Sequence, residues 1–417
     1  MDPLSALARR ALEANLVRLR HGRLLLADAG RTRSFGDPSA PAITIEVRDA
    51  RAYRAIAFGG AVGAGESYAE GWWTTDDLTG VVRLLVRNRD ALDGLERGFA
   101  RAVQPLRRAW HALNRNTRRG SRRNIGAHYD LGNTFFATFL DETMTYSSGL
   151  FERPGATMAE ASTAKYDRIC ALVDLGPEDH LLEIGTGWGG FAIHAATRYG
   201  CRVTTTTISA AQHAYATARV AALGLADRVT VLRQDYRDLA GTYDKLVSIE
   251  MIEAVGHEHL DTFFAQVAER LAPHGRAAIQ AITIDHARYD LARKEVDFIK
   301  RHIFPGSCIP SVPVLARASA RTDLRVAQVD ELGLHYAETL RRWRTAMLGS
   351  RDRLAALGFD ARFQRLWEFY FCYCEGGFLE RAIGTVQIAY EKPAAPAVRH
   401  RRAGGIPAIE HQSRSVA

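Results

Sequence analysis

Between about residue 174 and residue 284, short apolar runs alternate with longer segments in which apolar residues recur every three or four positions. The first pattern predicts strands and the second predicts helices. The predicted strands are 180–185, 202–209, 229–235, 244–252, 276–284, 324–333 and 384–392, and the helices are 191–200, 210–224 and 259–271. Strands that alternate with helices form a parallel sheet covered on both faces. The sequence therefore predicts an α/β, Rossmann-like fold with a mostly parallel seven-stranded sheet.

The first hundred residues follow a different pattern, in which short apolar runs are separated by turn residues. Residues 42–47 and 52–60 are predicted to be strands, and 78–95 have helical spacing. This mixture predicts a small α+β domain ahead of the larger one. We expect four parts in chain order, and they are an N-terminal domain (1–100), a linker (101–123), a main domain (124–392) and a disordered tail (393–417).

Positive charge is concentrated in the predicted linker, where eight arginines and no carboxylate lie between Arg101 and Arg123. The whole chain carries a net charge of +8, and a second basic cluster, Arg399–Arg402, opens the tail. Such segments suit a polyanion, either nucleic acid or the headgroups of anionic lipid, and the alternative is a solvated linker in a basic protein. The charge alone does not choose between lipid and nucleic acid.

The spacing of the cysteines and the hydropathy of the chain indicate in which cellular compartment the protein is expected. The five cysteines show no paired CxxC spacing, so we expect neither a disulfide framework nor a metal site. The first residues lack the apolar core of a signal peptide, and no run of about 18 apolar residues occurs in the chain. These features predict a cytoplasmic protein that does not span a membrane.

The glycine-rich sequence Glu183–Gly190 covers the end of the first predicted strand of the large sheet and the turn after it. Ligands bind at this carboxyl end of a parallel strand, and glycine lets the backbone approach them closely. An NAD site would need an acid at the end of the second strand, but residues 204–209 contain none. Glu183 in the first strand, with Asp235 and Tyr236 after the third, instead favours S-adenosylmethionine as the ligand. The alternative is a tight turn with a buried glutamate.

Seven stretches in a fixed order along about residues 60–390 carry further motifs. They are Gly65–Trp73, His128–Phe151, Leu182–Gly190, Ser248–Glu258, Phe298–Ser311, Leu332–Trp343 and Trp367–Phe378. Together they resemble the cyclopropane-fatty-acyl-phospholipid synthases and their mycolic-acid-modifying relatives, and the second and fourth stretches are specific to that family. The resemblance implies a class I S-adenosylmethionine-dependent methyltransferase, with its catalytic domain over 124–392 and an N-terminal domain that docks on lipid or dimerises.

The resemblance also implies how the cofactor is bound. The residues concerned are Tyr146, Ser147, Leu182, Glu183, Gly185, Gly187, Trp188, Gly189, Thr207, Gln212, Tyr236 and Arg237, to which the strand pattern adds Asp235. These positions agree with the site that the strand and turn pattern predicts independently.

The chemistry of this family places demands on the catalytic residues. Attack of an isolated cis alkene on the sulfonium methyl leaves a carbocation on the acyl chain, so the pocket must be dry and a base must remove a proton. The resemblance implies that a bicarbonate ion is this base and that its ligands are Ser148, Glu253, Gln280 and Tyr336. We expect Glu253 to accept the hydroxyl hydrogen of the ion and Tyr336 to donate to its oxygen.

The chain departs from the usual family pattern at three places. Ser148 stands where the family usually has cysteine, Gln280 stands where it usually has histidine, and Ala254 replaces a frequent histidine. Cys374 matches an active-site cysteine of the family, but no step of the reaction needs a thiolate, so we expect it to line the pocket wall. These departures keep a branched product open beside ring closure.

We therefore expect a cyclopropane-fatty-acyl-phospholipid synthase acting on cis double bonds of unsaturated phospholipid acyl chains, with a methyl- or methylene-branched product as the alternative. We expect it to contact the anionic inner face of the cell membrane peripherally and to form a homodimer, without binding nucleic acid. Residues 250–256 lack the (D/N/S)PP(Y/F/W) motif of amino-methylating nucleic-acid enzymes. A non-catalytic lipid-binding protein is the third hypothesis, and the intact glycine-rich turn and Glu253 argue against it.

Overall fold

The computed structural model describes residues 1–89, 120 and 131–396. The chain divides into two compact units: the first comprises Met1–Arg115, Asp290–Gly306 and Leu340–Ala382, and the second comprises Asn116–Tyr289, Ser307–Thr339 and Ile383–Ala417. This division differs from the expected linear one, because two segments between residues 290 and 382 cluster with the N-terminal residues. The predicted linker, 101–123, and tail, 393–417, lie almost wholly outside the described residues.

Residues 1–89 of the first unit contain a four-stranded sheet and three helices. In chain order the elements are α1 (Pro3–Leu16), β1 (Arg23–Asp28), β2 (Arg31–Gly36), β3 (Ala42–Val47), α2 (Arg51–Ala69), β4 (Trp73–Thr75) and α3 (Leu78–Arg87). The strand order is β2-β1-β3-β4, in which β1 and β3 are parallel and the other pairs are antiparallel. Asp2 and Asp77 cap α1 and α3 by accepting hydrogen bonds from backbone N–H groups of the first turn.

The strand predicted over 52–60 is wrong, because these residues form the first half of α2. Ala52, Tyr53 and Ala57 are buried, and the spacing of four positions between Tyr53 and Ala57 places these two residues on one face of a helix. The helix then bends at Gly60, whose φ of 55° lies outside helical geometry. The strand predicted over 42–47 and the helix predicted from residue 78 are confirmed.

A seven-stranded sheet forms the centre of the second unit. Its strands are β5 (His180–Ile184), β6 (Arg202–Thr206), β7 (Val229–Leu232), β8 (Tyr243–Ile249), β9 (Leu271–Ile284), β10 (Arg325–Glu331) and β11 (Ile383–Glu391). The order is β10-β11-β9-β8-β5-β6-β7, and β11 runs antiparallel to both of its neighbours. The predicted α/β fold with a mostly parallel seven-stranded sheet is therefore confirmed. The strand order reverses at β5, where a doubly wound sheet opens a crevice for ligands.

Helices connect these strands and complete both units. They are α4 (Asn133–Phe136), α5 (Met158–Leu172), α6 (Gly190–His194), α7 (Ala210–Ala222), α8 (Leu260–Arg270), α9 (His286–Ala292), α10 (Phe298–His302), α11 (Val312–Ser319), α12 (Gly333–Gly349), α13 (Arg351–Ala356) and α14 (Ala361–Leu379). Thr157 and Glu160 form a capping box at the start of α5. Among the described residues, no helix combines the length and the apolar character that crossing a membrane requires.

The core of the second unit lies on both faces of the sheet. Leu182 and Leu246 belong to one buried cluster, which includes Phe263 of α8. Leu181 and Val247 belong to another. Successive strand residues point to opposite faces, so neighbours on β5 and on β8 are divided between the two clusters. This double burial explains why these strands appear in the sequence as continuous apolar runs.

Candidate active site

The glycine-rich turn lies between β5 and α6, at the carboxyl end of the sheet. Gly185, Gly187 and Gly189 have φ angles of 108°, 52° and 86°, a region that favours glycine. A Cβ at Gly187 would meet no atom within 4 Å, whereas one at Gly190 would lie 2.7 Å from the Tyr166 hydroxyl. Gly190 is therefore required by packing, while Gly187 borders open space at the place where a ligand is expected.

Glu183 lies on β5 directly before this turn, and it is buried. Its Oε2 accepts a hydrogen bond from the Thr205 hydroxyl at 2.6 Å, and the Thr205 and Thr186 hydroxyl oxygens are 2.7 Å apart. Burial raises the pKa of Glu183 to about 8, although the Thr205 hydrogen bond and the charge of Lys165 oppose the rise. The carboxyl group thus belongs to a polar network beneath the turn.

Replacing Glu183 by glutamine is expected to flatten the dependence of stability on pH. With a pKa of 4.5 unfolded and about 8 folded, the group's stability contribution is complete below pH 4.5 and is lost as the pH rises through 8. Between pH 6 and pH 9, the Tm of the wild type should fall by about 3 °C more than that of Glu183→Gln. The exposed control Glu178→Gln should follow the wild type, and parallel curves for all three proteins would contradict the expectation.

Polar residues after β6 and β7 lie at the same edge of the sheet. Thr207 donates its hydroxyl to Gln212 Oε1 at 2.9 Å, and both side chains are buried. Asp235 accepts hydrogen bonds from the Arg237 guanidinium at 2.8 and 2.7 Å. The buried hydroxyl of Tyr236 has no hydrogen-bond partner among the described residues. Tyr236 therefore offers an uncommitted polar group at this edge.

Tyr146 and Trp188 belong to an aromatic cluster beside the turn. Their ring centroids lie 5.3 and 4.9 Å from that of Phe136. The Trp188 indole also donates to Asn133 Oδ1 at 2.7 Å. Leu182 has no exposed surface and packs in the core. Trp188 and Leu182 both pack against their neighbours beside the turn, and their predicted contact with the cofactor stays a prediction.

Glu250 directly follows β8, and three donors hold its carboxylate. Oε1 accepts from the Ser148 backbone N–H at 3.0 Å and from Gln280 Nε2 at 2.6 Å, and Oε2 accepts from the Tyr336 hydroxyl at 2.7 Å. Gln387 orients Gln280, because its amide nitrogen donates to Gln280 Oε1 at 3.0 Å. Burial raises the pKa of Glu250, and the three hydrogen bonds oppose that rise.

Glu253 lies in a short 3₁₀ turn, Ile252–Ala254, after the same strand. Its Oε1 accepts from the backbone N–H of Ile282 at 2.5 Å. Within the part of the chain that the structure describes, its buried Oε2 has no hydrogen-bond partner. Burial, followed by the charge of Glu250, raises the pKa of Glu253 to about 8. At neutral pH the proton therefore resides mainly on Glu253, and the three donors favour Glu250 as the ionised partner.

Lys165 brings a positive charge to this region from α5. The side chain is buried, and its Nζ donates to Ser147 Oγ at 2.6 Å. Burial lowers its pKa to about 8, while the charges of Glu250, Asp141 and Glu183 oppose the fall. A buried cation surrounded by carboxyl groups compensates part of their charge.

Comparisons with known proteins agree with this geometry. The family model described as mycolic acid cyclopropane synthetase matches residues 116–388. The chain is 42% identical over 365 residues to the tuberculostearic acid methyltransferase UfaA1 of Mycobacterium tuberculosis, a match that covers 85% of this chain and 84% of that protein. It is 34% identical over 374 residues to the cyclopropane-fatty-acyl-phospholipid synthase of Escherichia coli, covering 87% and 91%.

The chain belongs to the mycolic acid cyclopropane synthetase family. It is therefore a class I S-adenosylmethionine-dependent methyltransferase, as the resemblance of its motifs implied. Among solved structures, mycolic acid cyclopropane synthase CmaA1, complexed with SAH and CTAB, matches with a TM-score of 0.61 and 31% identity, over 65% of this chain and 98% of that one. The cyclopropane synthase MmaA2 from Mycobacterium tuberculosis matches with the same TM-score and 29% identity.

The site fits the S-adenosylmethionine that this family uses. The open space beside Gly187 follows β5, and the buried, unsatisfied hydroxyl of Tyr236 follows β7. These two strands flank β6 in one sheet. Thr207 and Gln212 complete the edge, although they hydrogen-bond each other. When bound there, S-adenosylmethionine supplies an electrophilic methyl group on a positively charged sulfur.

Three of the four predicted bicarbonate ligands converge, but on a carboxylate of the protein. Ser148, Gln280 and Tyr336 direct their donors to the Glu250 carboxylate. The Ser148 hydroxyl, the other donor of that residue, hydrogen-bonds the carbonyl oxygen of Gly149 at 2.9 Å. These residues therefore do not fit a bicarbonate ion held in the expected way, because a side chain of the protein already occupies the donors.

Cys374 lies on α14 in the first unit, whereas the other four predicted catalytic residues lie in the second unit. Burial raises the pKa of its thiol well above the usual value. A thiol with a raised pKa stays protonated and is a poor nucleophile. This agrees with a reaction that needs no thiolate.

Sequence reasoning missed Glu250 and Lys165. Glu250 lies within the family motif Ser248–Glu258, and an acid placed immediately after a buried parallel strand was a signal for it. Lys165 shares the buried face of α5 with Ala161 and Ile169. A lysine on the apolar face of a helix was therefore the second signal.

Proposed function

We propose that this methyltransferase transfers the methyl group of S-adenosylmethionine to a double-bond carbon of an unsaturated phospholipid acyl chain. The carboxyl pair of Glu250, which is half-buried, and Glu253, which is buried, carries this proposal. Both residues follow β8, which is the neighbour of β5 in the sheet, and a Cβ on Gly185 of the turn would lie 3.1 Å from Met251. A proton acceptor thus lies beside the predicted cofactor turn, as alkylation of an alkene requires.

The reaction proceeds by bond changes that the site has to accommodate. The alkene π electrons form a carbon–carbon bond to the methyl carbon while its bond to sulfur breaks, which leaves a cation on the adjacent chain carbon. The protein must then keep water away and accept one proton. Glu253 and Gln280 are 8% and 1% exposed, so the residues around the acceptor form a dry environment.

Two products are candidates, and each has a relative in its support. A chain with a one-carbon branch is the first candidate, because the tuberculostearic acid methyltransferase UfaA1 is 42% identical to this chain. This branched product forms when a hydride shift moves the positive charge to the methylated carbon and a proton then leaves the methyl group. A cyclopropane ring is the second candidate, because the cyclopropane-fatty-acyl-phospholipid synthase of Escherichia coli is 34% identical. It forms when loss of that proton closes the ring directly.

Mass spectrometry of the product is the test of this function. The purified protein is incubated with unsaturated phospholipid vesicles and isotopically labelled S-adenosylmethionine, and fatty acid methyl esters are then analysed. We expect a mass gain of one CH₂ unit that takes up hydrogen on mild catalytic hydrogenation, which is the behaviour of a methylene branch. A gain that resists hydrogenation would assign the ring, and no gain with any lipid would contradict the proposed function.

We also propose a cellular location and an oligomeric state for the protein. An acyl chain must be drawn from a bilayer, so the protein is proposed to work in the cytoplasm at the inner membrane face as a homodimer, without a nucleic acid partner. Each arginine near an anionic surface contributes about 1 kcal/mol of attraction. The basic segment Arg101–Arg123 that would supply this attraction lies, except for Gly120, outside the described residues.

A further inference from the structure

We propose that the Glu250 carboxylate takes the place of an external bicarbonate base and accepts the proton released after methyl transfer. This inference rests on the proposed function, because the proton to be accepted is the one lost from the methylated acyl chain. It differs from the expectation drawn from the resemblance, in which a bound ion fills this role.

The hydrogen bonds of Glu250 are the first observation. The two oxygens of a carboxylate group are presented to the Ser148 N–H, the Gln280 amide and the Tyr336 hydroxyl. A bicarbonate ion would offer the same planar pair of oxygens to the same donors. The Glu250 side chain therefore presents to these three donors the same pair of oxygen atoms that the ion would present. Unlike the ion, this pair is covalently attached to the backbone.

The backbone of Glu250 is the second observation. Its φ is 51°, in the left-handed region that residues with a side chain rarely adopt. Its backbone N–H donates to the Gln280 carbonyl oxygen at 2.9 Å, which ties this conformation to β9. Strained residues of this kind collect at functional sites, where the surrounding structure over-determines them. Here the strained conformation places a carboxylate among three donors at the end of a strand.

The surrounding charges are the third observation. Lys165 is buried and its positive charge favours the ionised form of Glu250, while Glu253 is the other carboxyl group that interacts with it. A half-buried carboxylate with a buried cation and three donors persists as an anion. An anion at this position stabilises the positive charge of a carbocation on the acyl chain.

The proposed step balances without a further reactant. A C–H bond of the transferred methyl group breaks. Its electron pair forms either the double bond of the methylene branch, after the hydride shift, or the ring bond. The proton passes to an oxygen of Glu250 and is released to solvent after the product leaves. Neither product requires an oxidant or a reductant.

Chemical rescue tests this inference. Wild type, Glu250→Gly and Glu250→Gln are assayed for label transfer to unsaturated phospholipid vesicles in CO₂-free buffer, with and without added bicarbonate or formate. Glycine is favoured at a φ of 51°, so Glu250→Gly should keep its Tm and its affinity for S-adenosylmethionine. We expect it to lose about 100-fold in rate and to regain about tenfold with either anion. Glu250→Gln should be equally slow, and its larger side chain should prevent rescue.

Direct binding keeps the inference separate from the proposed function. The ¹³C resonances of labelled bicarbonate and formate should broaden with Glu250→Gly and remain sharp with the wild type, whether or not any lipid is a substrate. Loss of all label transfer in the wild type would thus overturn the function alone. The inference itself would be overturned by a wild type that binds bicarbonate or needs it for turnover, or by a Glu250→Gly variant that is fully active without added anion.

Discussion

Gly187→Ala is expected to lose at least about tenfold in affinity for S-adenosylmethionine while keeping its fold. The position has a φ of 52°, and a Cβ there would meet no protein atom within 4 Å. The added methyl group would therefore project into the open space where the turn is expected to meet the cofactor. Glycine in such turns lets the backbone approach the ligand, and a Cβ removes that approach.

Gly224→Ala is the matched control for this substitution. Gly224 follows α7, has a φ of 66° and also has no atom within 4 Å of an added Cβ. Both substitutions carry the same backbone cost, about 1–2 kcal/mol for a left-handed residue with a Cβ. Thermal melts should therefore show similar losses of stability, while calorimetric titration should show weakened binding in Gly187→Ala. Equal affinities for the two variants would mean that the turn does not contact the cofactor.

The strands of the large sheet could be predicted because a parallel strand is buried on both faces. Residues such as Leu181 and Leu182 are both buried, so the strand appears in the sequence as an unbroken apolar run with a clear length. Residues 52–60 do not form such an unbroken apolar run. Their buried members have helical spacing, but Gly59 and Gly60 end the pattern early and suggested a short strand. Helix α2 nevertheless continues to Ala69, beyond the bend at Gly60.

The division into units could not be predicted from local patterns. The segments Asp290–Gly306 and Leu340–Ala382 lie within the family's matched region, yet they cluster with the N-terminal residues. Such clustering depends on contacts between helices that are far apart in the chain. Thr79 of α3, for example, donates to Glu375 of α14 at 3.1 Å.

The sequence predicted which residues form the candidate site better than it predicted the hydrogen bonds between them. Ser148, Gln280 and Tyr336 do converge on one carboxylate. Ser148 and Tyr336 lie in two of the family stretches, and Gln280 lies on β9. The group on which they converge was missed, since Glu250 meets them across separations of 102, 30 and 86 residues. A sequence pattern gives the residue types at strand ends, but hydrogen bonds of this range require the fold.

Glu253→Gln is expected to lower turnover by at least about 100-fold and to leave the binding of S-adenosylmethionine unchanged. Glutamine has nearly the same shape as glutamate, and its oxygen can still accept from the Ile282 N–H at the position of Oε1. The amide cannot, however, exchange a proton with its surroundings. A purely structural role for Glu253 would therefore survive the substitution, whereas a role in handling the proton would not.

The pH dependence of turnover separates these roles further. Glu253 has a pKa of about 8, so the wild-type rate should show an ionisation near that pH, and the variant should lack it. Label transfer to unsaturated phospholipid vesicles gives the rates, and calorimetric titration gives the cofactor affinity. Glu178→Gln, on the exposed segment before β5, should match the wild type in both measurements. Full turnover in Glu253→Gln would remove this residue from the reaction and leave Glu250 to handle the proton alone.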